Sequence, residues 1–246
     1  MIEHSFQFLD RIGPKKEKTF HNQSIKTWND FLNTSKILGI PAAKKAYFNR
    51  IIHAAKKALQ EEDIIFFKEK LPSTQFWRLY PHFQDKSAFL DIETDSQGAI
   101  TVIGISTYYQ TKQFVKGINL DHKTVQNELD QYKMLITFNG GAFDLPKLKK
   151  QSLIINPLHL DLKPLCLHLN LRGGLKQIEH TLNLKRPAHL YGNPVDLWKA
   201  LHASGDREYL DLLLSYNRED IENLKLLVEY CYNQLKEYQV KELHQP

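Results

Sequence analysis

The sequence predicts an α/β fold in which a mixed five-stranded sheet carries helices on both faces and follows a small helical N-terminal region. From Ser87 onward, three short apolar strands are followed by a helix, a strand, a helix, a strand and further helices, an order typical of a mixed sheet between helical layers. Before Ser87, the residues favour helices separated by proline and glycine. The 246 residues, 42% of them hydrophobic, suffice to bury a core without a disulfide bond or a structural metal.

Four helices are predicted in the N-terminal third, at Lys15–Asn22, Ile25–Ser35, Ala42–Leu59 and Glu62–Lys70. The following residues, 71–86, have prolines near both ends and no clear period, so we expect a linker that is packed by Phe76, Trp77 and Tyr80. The predicted organisation is a helical region over 1–70, this linker over 71–86 and an α/β domain over 87–240.

The α/β domain is predicted from apolar runs and turn signals. The segments SAFLDIET, GAITVIGISTYY and TKQFVKGIN are expected to be strands joined by hairpin turns. The elements that follow are the helix Thr124–Tyr132, the buried strand MLITFN, the helix Asp144–Gln151 and the fifth strand HLDLKP. The remainder is predicted to be helical to about Glu237.

Composition excludes several classes of protein. No apolar run approaches the roughly 20 residues that span a bilayer, and the N-terminus lacks the apolar core of a secretory signal. We therefore expect a cytoplasmic protein without membrane association. Cys166 and Cys231 lie in apolar stretches and lack a CxxC partner, which predicts buried free thiols of a reducing compartment.

Positive charge is concentrated in the N-terminal third. Residues 1–86 contain 15 Lys and Arg against 9 Asp and Glu, a net charge of +6, whereas residues 87–246 contain 18 against 19. A basic region beside a near-neutral one indicates a polyanionic partner, most simply nucleic acid. A solvated lysine-rich surface is the alternative that charge alone leaves open.

The first candidate site motif is a pair of acids in the first strand. Asp91 and Glu93 flank Ile92, so strand alternation points both carboxylates to the same face. Two carboxylates on one face resist burial together. Divalent cations with a preference for oxygen ligands, such as Mg²⁺ or Mn²⁺, would offset the repulsion between the two carboxylates. For this motif alone, a solvated acidic strand end is the ordinary alternative.

Two further acidic motifs follow along the chain. Asp144 comes after a turn at Gly140 and Gly141, which allow positive φ, and is expected to open the next helix. Tyr216 and Asp220 are four residues apart on one largely apolar helical face. The corresponding alternatives are an N-cap aspartate and a boundary acid that reaches solvent.

Together, the motifs DxE, NxxxFD and YxxxD resemble, in this order, those of the DEDD 3′–5′ exonucleases, a ribonuclease H-like superfamily. The tyrosine is typical of the DEDDy subgroup, to which the proofreading domains of family B polymerases are similar. A closer resemblance is to the YprB-like family of predicted exonucleases, through the blocks FLDIET, TFNGGAFDLPKL, HLDLKPLC, GGLKQIEHTLNL and YNREDIENLKLL. The resemblance covers residues 87–235.

This resemblance implies hydrolysis of a terminal phosphodiester bond with two divalent cations, Mg²⁺ or Mn²⁺. Asp91 would bridge the two cations, Glu93 and Asp220 would hold the one that activates water, and Asp144 would hold the second. Tyr216 would orient the attacking water, because a phenol with a pKa of about 10 is a poor base at neutral pH. The implied partner is nucleic acid, DNA or RNA, with a single-stranded 3′ end.

Four residues near these motifs are candidates for binding substrate. Asn139 and Phe143 flank the second motif and would touch the terminal nucleotide, although Phe143 equally suits the core, the interpretation that we favour. Leu175 and Lys176 follow two glycines at the start of a helix, a setting that binds phosphate. A loop with solvated charges is the alternative for this segment.

The N-terminal segment FLDRIGPKKEKTFHNQSIKTWNDFL resembles a degenerate helix-hairpin-helix, in which the amides of a Gly-x-Gly hairpin bind a DNA phosphate. Gly13 matches the second glycine of that motif, whereas Arg11 stands in place of the first. Lys15, Lys16 and Lys18 add positive charge for phosphate contacts. The resemblance implies nucleic-acid binding by Gly13 and these lysines, and a helical packing element is the alternative.

Three functions compete at this point. A metal-dependent 3′–5′ exonuclease accounts for the intact acids, which a non-catalytic nucleic-acid-binding module on the same fold would not need. A structure-specific endonuclease would use the same scaffold. Cleavage of end-labelled and circular substrates separates the exonuclease from the endonuclease.

Overall fold

The computed structural model describes residues 1–187, 190 and 193–244. The chain divides into two compact units. One contains Met1–Pro81 together with the C-terminal segment that begins at Asn233, and the other contains His82–Tyr232. Among the described residues, none of the helices combines the length and the apolar character that crossing a membrane requires.

The N-terminal unit is helical. A 3₁₀ turn at Ile2–His4 precedes the helices α1 (Pro14–His21), α2 (Trp28–Asn33), α3 (Ala42–Gln60) and α4 (Ile64–Lys70). Helix α2 is shorter than predicted because Thr27 and Asp30 form a capping box, in which each side chain accepts a hydrogen bond from the other's amide. Helix α4 begins after Asp63, whose carboxylate accepts the amide of Ile65 at 2.9 Å.

Short helices occupy most of residues 71–86, where the sequence suggested a linker. They are a 3₁₀ helix at Ser73–Leu79, α5 (Tyr80–Phe83) and a 3₁₀ turn at Gln84–Lys86. Phe76, Trp77 and Tyr80 are buried, as expected. Helices of a single turn or two have too few residues to show a period in the sequence.

An aromatic cluster forms the core of the N-terminal unit. The ring of Phe20 contacts those of Phe6 and Phe31 at centroid distances of 5.4 and 5.5 Å, and Phe31 contacts Phe48 at 6.3 Å. All four rings are buried. Helix α1 is thus anchored by Phe20, while its three lysines are exposed.

The predicted mixed five-stranded sheet is confirmed. Its strands are β1 (Ser87–Thr94), β2 (Ile100–Ser106), β3 (Thr111–Val115), β4 (Met134–Thr137) and β5 (Leu158–Asp161). Across the described part of the sheet their order is β3-β2-β1-β4-β5. The pairs β1–β2 and β2–β3 are antiparallel, whereas β1–β4 and β4–β5 are parallel.

Six helices of the described residues connect or follow these strands. They are α6 (His122–Leu129), α7 (Asp144–Lys150), α8 (Leu162–His168), α9 (Leu175–Thr181), α10 (Pro194–Ser204) and α11 (Arg207–His244). Strand β5 ends before the predicted HLDLKP segment does, because the Asp161 carboxylate caps α8 by accepting the Lys163 amide at 3.1 Å. Cys166 and Cys231 are buried free thiols, as predicted.

Both faces of the sheet are covered. On one face, buried residues of α6 and α7 pack with Leu90 and Ile92 of β1. On the other, buried residues of α10 and α11 pack with Val102 and Val115. The C-terminal helices therefore lie over the face on which the remaining side chains of β1 project.

Candidate metal centre

Strand β1 presents the first acidic motif to the face that α11 covers. Leu90 and Ile92 point into the core with α6 and α7, so alternation turns Asp91 and Glu93 to the opposite face. Glu93 is 9% exposed, and Asp91 is partly exposed. Two acids are therefore held on one side of a strand whose other side is apolar.

Asp220 on α11 completes a carboxylate cluster with Asp91 and Glu93. One carboxylate oxygen from each residue lies within 4.8 Å of the others, a spacing at which all three can hold one metal ion. Asp220 is distant in sequence from the other two and meets them because α11 crosses the sheet at β1. The fold thus brings the first and third predicted motifs together.

Asp144 lies beside this cluster and is not one of its three members. It is the buried first residue of α7. Its Oδ1 accepts a hydrogen bond from the backbone N–H of Ile92 at 3.1 Å. Because Ile92 stands between Asp91 and Glu93, this bond ties the second motif to the backbone of the first.

The turn between β4 and α7 differs in detail from the prediction. Asn139, and neither of the following glycines, adopts the positive φ, at 62°. Gly140 is required for another reason, since a Cβ there would lie 2.1 Å from Oγ1 of Thr137. The turn therefore depends on a close approach at Gly140, while asparagine tolerates the left-handed conformation.

Asp161 at the end of β5 holds this turn in place. Its two carboxylate oxygens accept the backbone N–H groups of Asn139 at 2.7 Å and Gly141 at 3.0 Å. Lys163 Nζ donates to Oδ1 of Asn139 at 3.2 Å. These bonds hold both the backbone and the side chain of Asn139 in the turn that precedes α7.

Tyr216 stands one turn before Asp220 and belongs to the apolar layer on this face of the sheet. Its hydroxyl donates a hydrogen bond to the carbonyl of Leu190 at 3.0 Å. Lys176 Nζ lies 4.7 Å from the centroid of the ring. Desolvation raises the pKa of Tyr216. Its phenolate form, the form that could act as a base, is therefore even rarer at neutral pH than that of an exposed tyrosine.

Two residues that the sequence motifs do not include contact the acids. Arg186 Nη2 donates to Oδ1 of Asp220 and, at 2.8 Å, to Oε1 of the buried Glu179. Asn217 Nδ2 donates to Oδ2 of Asp91 at 2.9 Å. Sequence reasoning could have found Asn217, because it directly follows Tyr216 within the third motif. It could not have found Arg186, which lies in a loop whose path the sequence does not indicate.

Burial and mutual repulsion raise the pKa of every acid in the group. Desolvation is the largest cause, and it raises the pKa of Glu93 to about 8 and that of Asp144 to about 7. Desolvation and then the charge of Glu93 raise the pKa of Asp91 well above its usual range. The pKa of Asp220 is also raised by desolvation, although Arg186 opposes the shift. The positively charged side chains nearby do not offset the effect of burial on these pKa values.

The predicted substrate-binding residues lie before α7 and at the start of α9. Phe143 precedes Asp144 and is 41% exposed, so the interpretation of this ring as a core residue is wrong. Lys147 Nζ lies 4.9 Å from its centroid. Leu175, half-buried, and Lys176, exposed, begin α9.

Comparison with known proteins identifies the family. The family model RNase_H_2, described as the RNase_H superfamily, matches residues 88–232, more than half of the chain. This chain belongs to the RNase H superfamily. No curated protein matches it. A solved family B DNA polymerase from the hyperthermophilic archaeon Pyrobaculum calidifontis matches 58% of this chain at a TM-score of 0.47 and 13% identity. The match spans about a quarter, 24%, of that polymerase chain.

The matched range of this RNase H superfamily protein contains all the acids of the predicted motifs and Tyr216. The ribonuclease H-like fold that the motif resemblance implied is confirmed. The acidic cluster is compatible with a metal site of the kind on which nucleases of this fold depend. The narrower resemblance to YprB-like exonucleases stays a prediction.

The N-terminal candidates of this RNase H superfamily protein lie in the other compact unit. Arg11 adopts a φ of 61°, the left-handed conformation that a glycine of the hairpin motif would adopt. Ile12 N–H donates to the carbonyl of Leu9 at 3.0 Å, which closes a turn before Gly13. The replacement of the first glycine by Arg11 thus still permits a tight turn. Lys15, Lys16 and Lys18 are exposed on α1.

Proposed function

We propose that this chain is a metal-dependent 3′–5′ exonuclease of the DEDDy type, which hydrolyses the terminal phosphodiester bond of DNA or RNA. The observation that carries the proposal is the convergence of Asp91, Glu93 and Asp220 within 4.8 Å in an RNase H superfamily domain. Asp144, which accepts the N–H of Ile92, and Tyr216, one helical turn before Asp220, are the remaining members of the three motifs and support the proposal.

The residues present fit a divalent cation. Three carboxylates on two facing elements supply oxygen ligands, which Mg²⁺ and Mn²⁺ prefer. The raised pKa values of Asp91 and Glu93 indicate that burial there disfavours their charged forms. Arg186 is hydrogen-bonded to Asp220 and not to the acids on β1, so those two acids gain most from a bound cation.

Two bound divalent cations would supply an activated water and would stabilise the charge on the leaving 3′-oxygen. Asp91, Glu93 and Asp220 would hold them, with Asp144 supporting the second. The hydrogen bond from Ile92 N–H keeps Asp144 against β1, which fixes the second motif relative to the first. Because the role of these acids would be to hold the cations, the loss of any one of them should impair catalysis more than folding.

Tyr216 would orient the attacking water without removing its proton. Its hydroxyl hydrogen is directed to the carbonyl of Leu190 at 3.0 Å. A phenolic oxygen can accept a hydrogen bond while its own hydrogen is donated, so a water can donate to it. In this arrangement, Tyr216 places one O–H of the water while the opposite lone pair remains available for attack.

The terminal nucleotide would lie between Phe143 and Lys176. Phe143 offers an exposed ring for stacking a base, with the ammonium of Lys147 4.9 Å from its centroid. Lys176 would contact phosphate on the opposite side, with Leu175 and Asn139 lining the path. An unpaired 3′ end presents a free base and a flexible backbone to such a site, so we propose single-stranded ends as the substrate.

Labelled substrates test the proposal directly. The full chain is incubated with Mg²⁺ or Mn²⁺ and 5′-labelled single- or double-stranded DNA and RNA, with a circular single strand in parallel. A ladder that shortens from the 3′ end, with the circle intact and no reaction in chelator, is expected. Cleavage of the circle would indicate an endonuclease, and binding without cleavage would indicate a non-catalytic module.

A matched pair of variants links the activity to the site. Asp220→Asn removes a cluster acid from α11, whereas Asp211→Asn removes an exposed acid from the same helix. We expect the ladder to disappear for Asp220→Asn and to persist for Asp211→Asn. Equal activity in both would show that a contaminating nuclease, or another site, produces the ladder.

A further inference from the structure

Asn217 is a buried amide at the centre of the site that none of the acidic motifs includes. It lies on α11 between Tyr216 and Asp220, and its exposed fraction is 0%. Its Nδ2 donates one hydrogen bond to the carbonyl oxygen of Asp91, at 3.1 Å, and another to Oδ2 of the same residue, at 2.9 Å. Both hydrogens of one amide nitrogen are therefore used on Asp91.

The other end of the amide is held as well. Oδ1 of Asn217 accepts a hydrogen bond from Nε2 of Gln113 at 3.0 Å, and that nitrogen also donates to the carbonyl of Leu214 at 2.7 Å. The donor Gln113 faces Oδ1, and two acceptors of Asp91 face Nδ2. Rotating the amide of Asn217 by 180° would therefore break its bond from Gln113 and both of its bonds to Asp91. Gln113 and Asp91 together thus determine which way the amide of Asn217 points.

Gly104 makes room for this amide. It lies opposite Asp91 in the antiparallel pair of β1 and β2. A Cβ at this position would lie 2.0 Å from Oδ1 of Asn217 and 2.3 Å from Cδ1 of Ile221. No other amino acid fits there without displacing the side chains of Asn217 and Ile221, so β2 has no side chain at the point where Asn217 reaches β1.

We propose that Asn217 is a positioning residue of the metal site, which holds the carboxylate of Asp91 in the orientation that binds cations. This inference rests on the proposed function. A fixed amide restricts the rotation of the Asp91 side chain and supports one oxygen, while the rest of the carboxylate remains available. Supporting hydrogen bonds of this kind typically contribute about 10- to 100-fold to metal affinity.

The absence of charge on the Asn217 amide also favours cation binding by Asp91. An arginine or lysine at this place would also hold Asp91, but its positive charge would compete with a cation for the carboxylate. Asparagine donates hydrogen bonds without adding charge. Asp91 therefore keeps its full charge for a cation, whereas Asp220 would share its carboxylate between Arg186 and the cation.

The test compares two buried asparagines on one helix. Asn217→Ala removes the proposed support, and Asn223→Ala removes an asparagine that is 3% exposed and contacts Glu219 at 3.5 Å. Mn²⁺ affinity is measured by calorimetry on the full chain, and kcat and KM are measured on a 5′-labelled oligonucleotide. We expect Asn217→Ala to weaken Mn²⁺ binding by about 10-fold or more and to lower kcat. Asn223→Ala should retain wild-type affinity.

A second variant keeps the test decisive if Asn217→Ala does not fold. Gln113→Ala frees Oδ1 of Asn217 from a partly exposed position on β3 and leaves every bond to Asp91 in place. It should weaken Mn²⁺ binding in the same direction by a smaller factor. Wild-type affinity in Gln113→Ala when Asn217→Ala is unfolded would overturn the proposal.

The outcomes separate this proposal from the proposed function. If the wild-type chain neither binds Mn²⁺ nor shortens the oligonucleotide, the proposed function fails. If the wild type does both and folded Asn217→Ala matches Asn223→Ala in affinity and kcat, only the positioning role is overturned. A decrease in affinity and kcat confined to Asn217→Ala and Gln113→Ala supports it.

Discussion

Buried acids occur in both units of this protein, and their surroundings are opposite. In the N-terminal unit, Glu17 is 5% exposed and accepts hydrogen bonds from Oγ of Ser5 at 2.9 Å, the amide of Phe6 at 2.6 Å and Nε2 of Gln7 at 2.7 Å. In the α/β unit, Asp91 and Glu93 adjoin further acids, and repulsion adds to their desolvation.

This difference separates an acid whose hydrogen bonds hold the fold from acids for which we propose a bound cation. The bonds to Glu17 fasten residues 5–7 to α1, so its negative charge is satisfied within the chain. The charges of the cluster acids repel one another, and a divalent cation would supply the positive charge that offsets this repulsion. This distinction is tested by variants and conditions that affect either Glu17 or the cluster acids, but not both.

The largest expected effect is the loss of nuclease activity when a cluster acid is removed. Asp91→Ala and Asp220→Ala should each reduce the cleavage rate on the order of 10³-fold or more, since the cations lose a ligand. Cooperative thermal unfolding should persist, because neither side chain belongs to the apolar clusters that pack β1 and α11. Near-normal turnover in either variant would contradict the site assignment.

Removal of Glu17 should have the reverse consequence. Glu17→Ala leaves the buried amide of Phe6 without its acceptor, so we expect a loss of about 3 kcal/mol in the free energy of unfolding. The Mn²⁺ affinity should be unchanged. Chemical denaturation measures the first and calorimetry the second, and a change in Mn²⁺ affinity without destabilisation would break the comparison.

The pH dependence of stability should reveal the cluster acids. The pKa values of Glu93 and Asp144, about 8 and about 7, lie above their ordinary values of 4.5 and 3.8. Between these limits the folded chain retains protons that the unfolded chain releases, so stability falls as pH rises. In chelator, we expect the free energy of unfolding to fall by several kcal/mol between pH 5 and 8, since each unit of pKa shift corresponds to about 1.4 kcal/mol.

Cations should cancel this loss because they bind the charged carboxylates. The increase in melting temperature on adding Mn²⁺ should therefore be larger at pH 8 than at pH 5.5. Glu93→Gln should flatten the profile measured in chelator. A Mn²⁺ effect of equal size at both pH values would argue that the ion binds elsewhere.

Among the cluster acids, Asp220 has a partner within the chain, Arg186. In this respect it resembles Glu17 of the other unit, whose charge is also satisfied within the chain. Arg186→Gln removes the charged partner of Asp220 and of the buried Glu179. Because the guanidinium is partly exposed, we expect destabilisation of about 2 kcal/mol, below the usual value for a fully buried pair. Mn²⁺ should restore part of this stability, and failure to do so would indicate that Asp220 does not meet the metal.

The smallest expected effect concerns nucleic-acid affinity of the basic N-terminal unit. Lys15→Glu with Lys16→Glu should weaken binding of a long oligonucleotide and lower the slope of affinity against salt, by about one for each phosphate that is no longer neutralised. Lys36→Glu with Lys57→Glu changes the charge of the same unit equally at other exposed positions and is the control. Equal salt slopes in both pairs would favour the packing role of the hairpin segment.

The sequence alone determined those features that depend on neighbouring residues. Strand alternation placed Asp91 and Glu93 on one face, and the order of apolar segments predicted the mixed sheet. The acids Asp144 and Asp220 were recognisable because their motifs are short and local. Helix boundaries were less predictable, since side-chain caps such as Thr27 and Asp161 set them.

Tertiary structure decided the contacts between segments that are distant in sequence. The amide of Asn217 meets Asp91 only because Gly104 lets α11 approach β1 closely, and Arg186 reaches Asp220 from a loop without regular structure. Phe143 is exposed although its residue type suits a core. Local patterns encode which face of an element is apolar, but how closely two elements approach depends on the packing of both, which is why these partners could not be read from either segment alone.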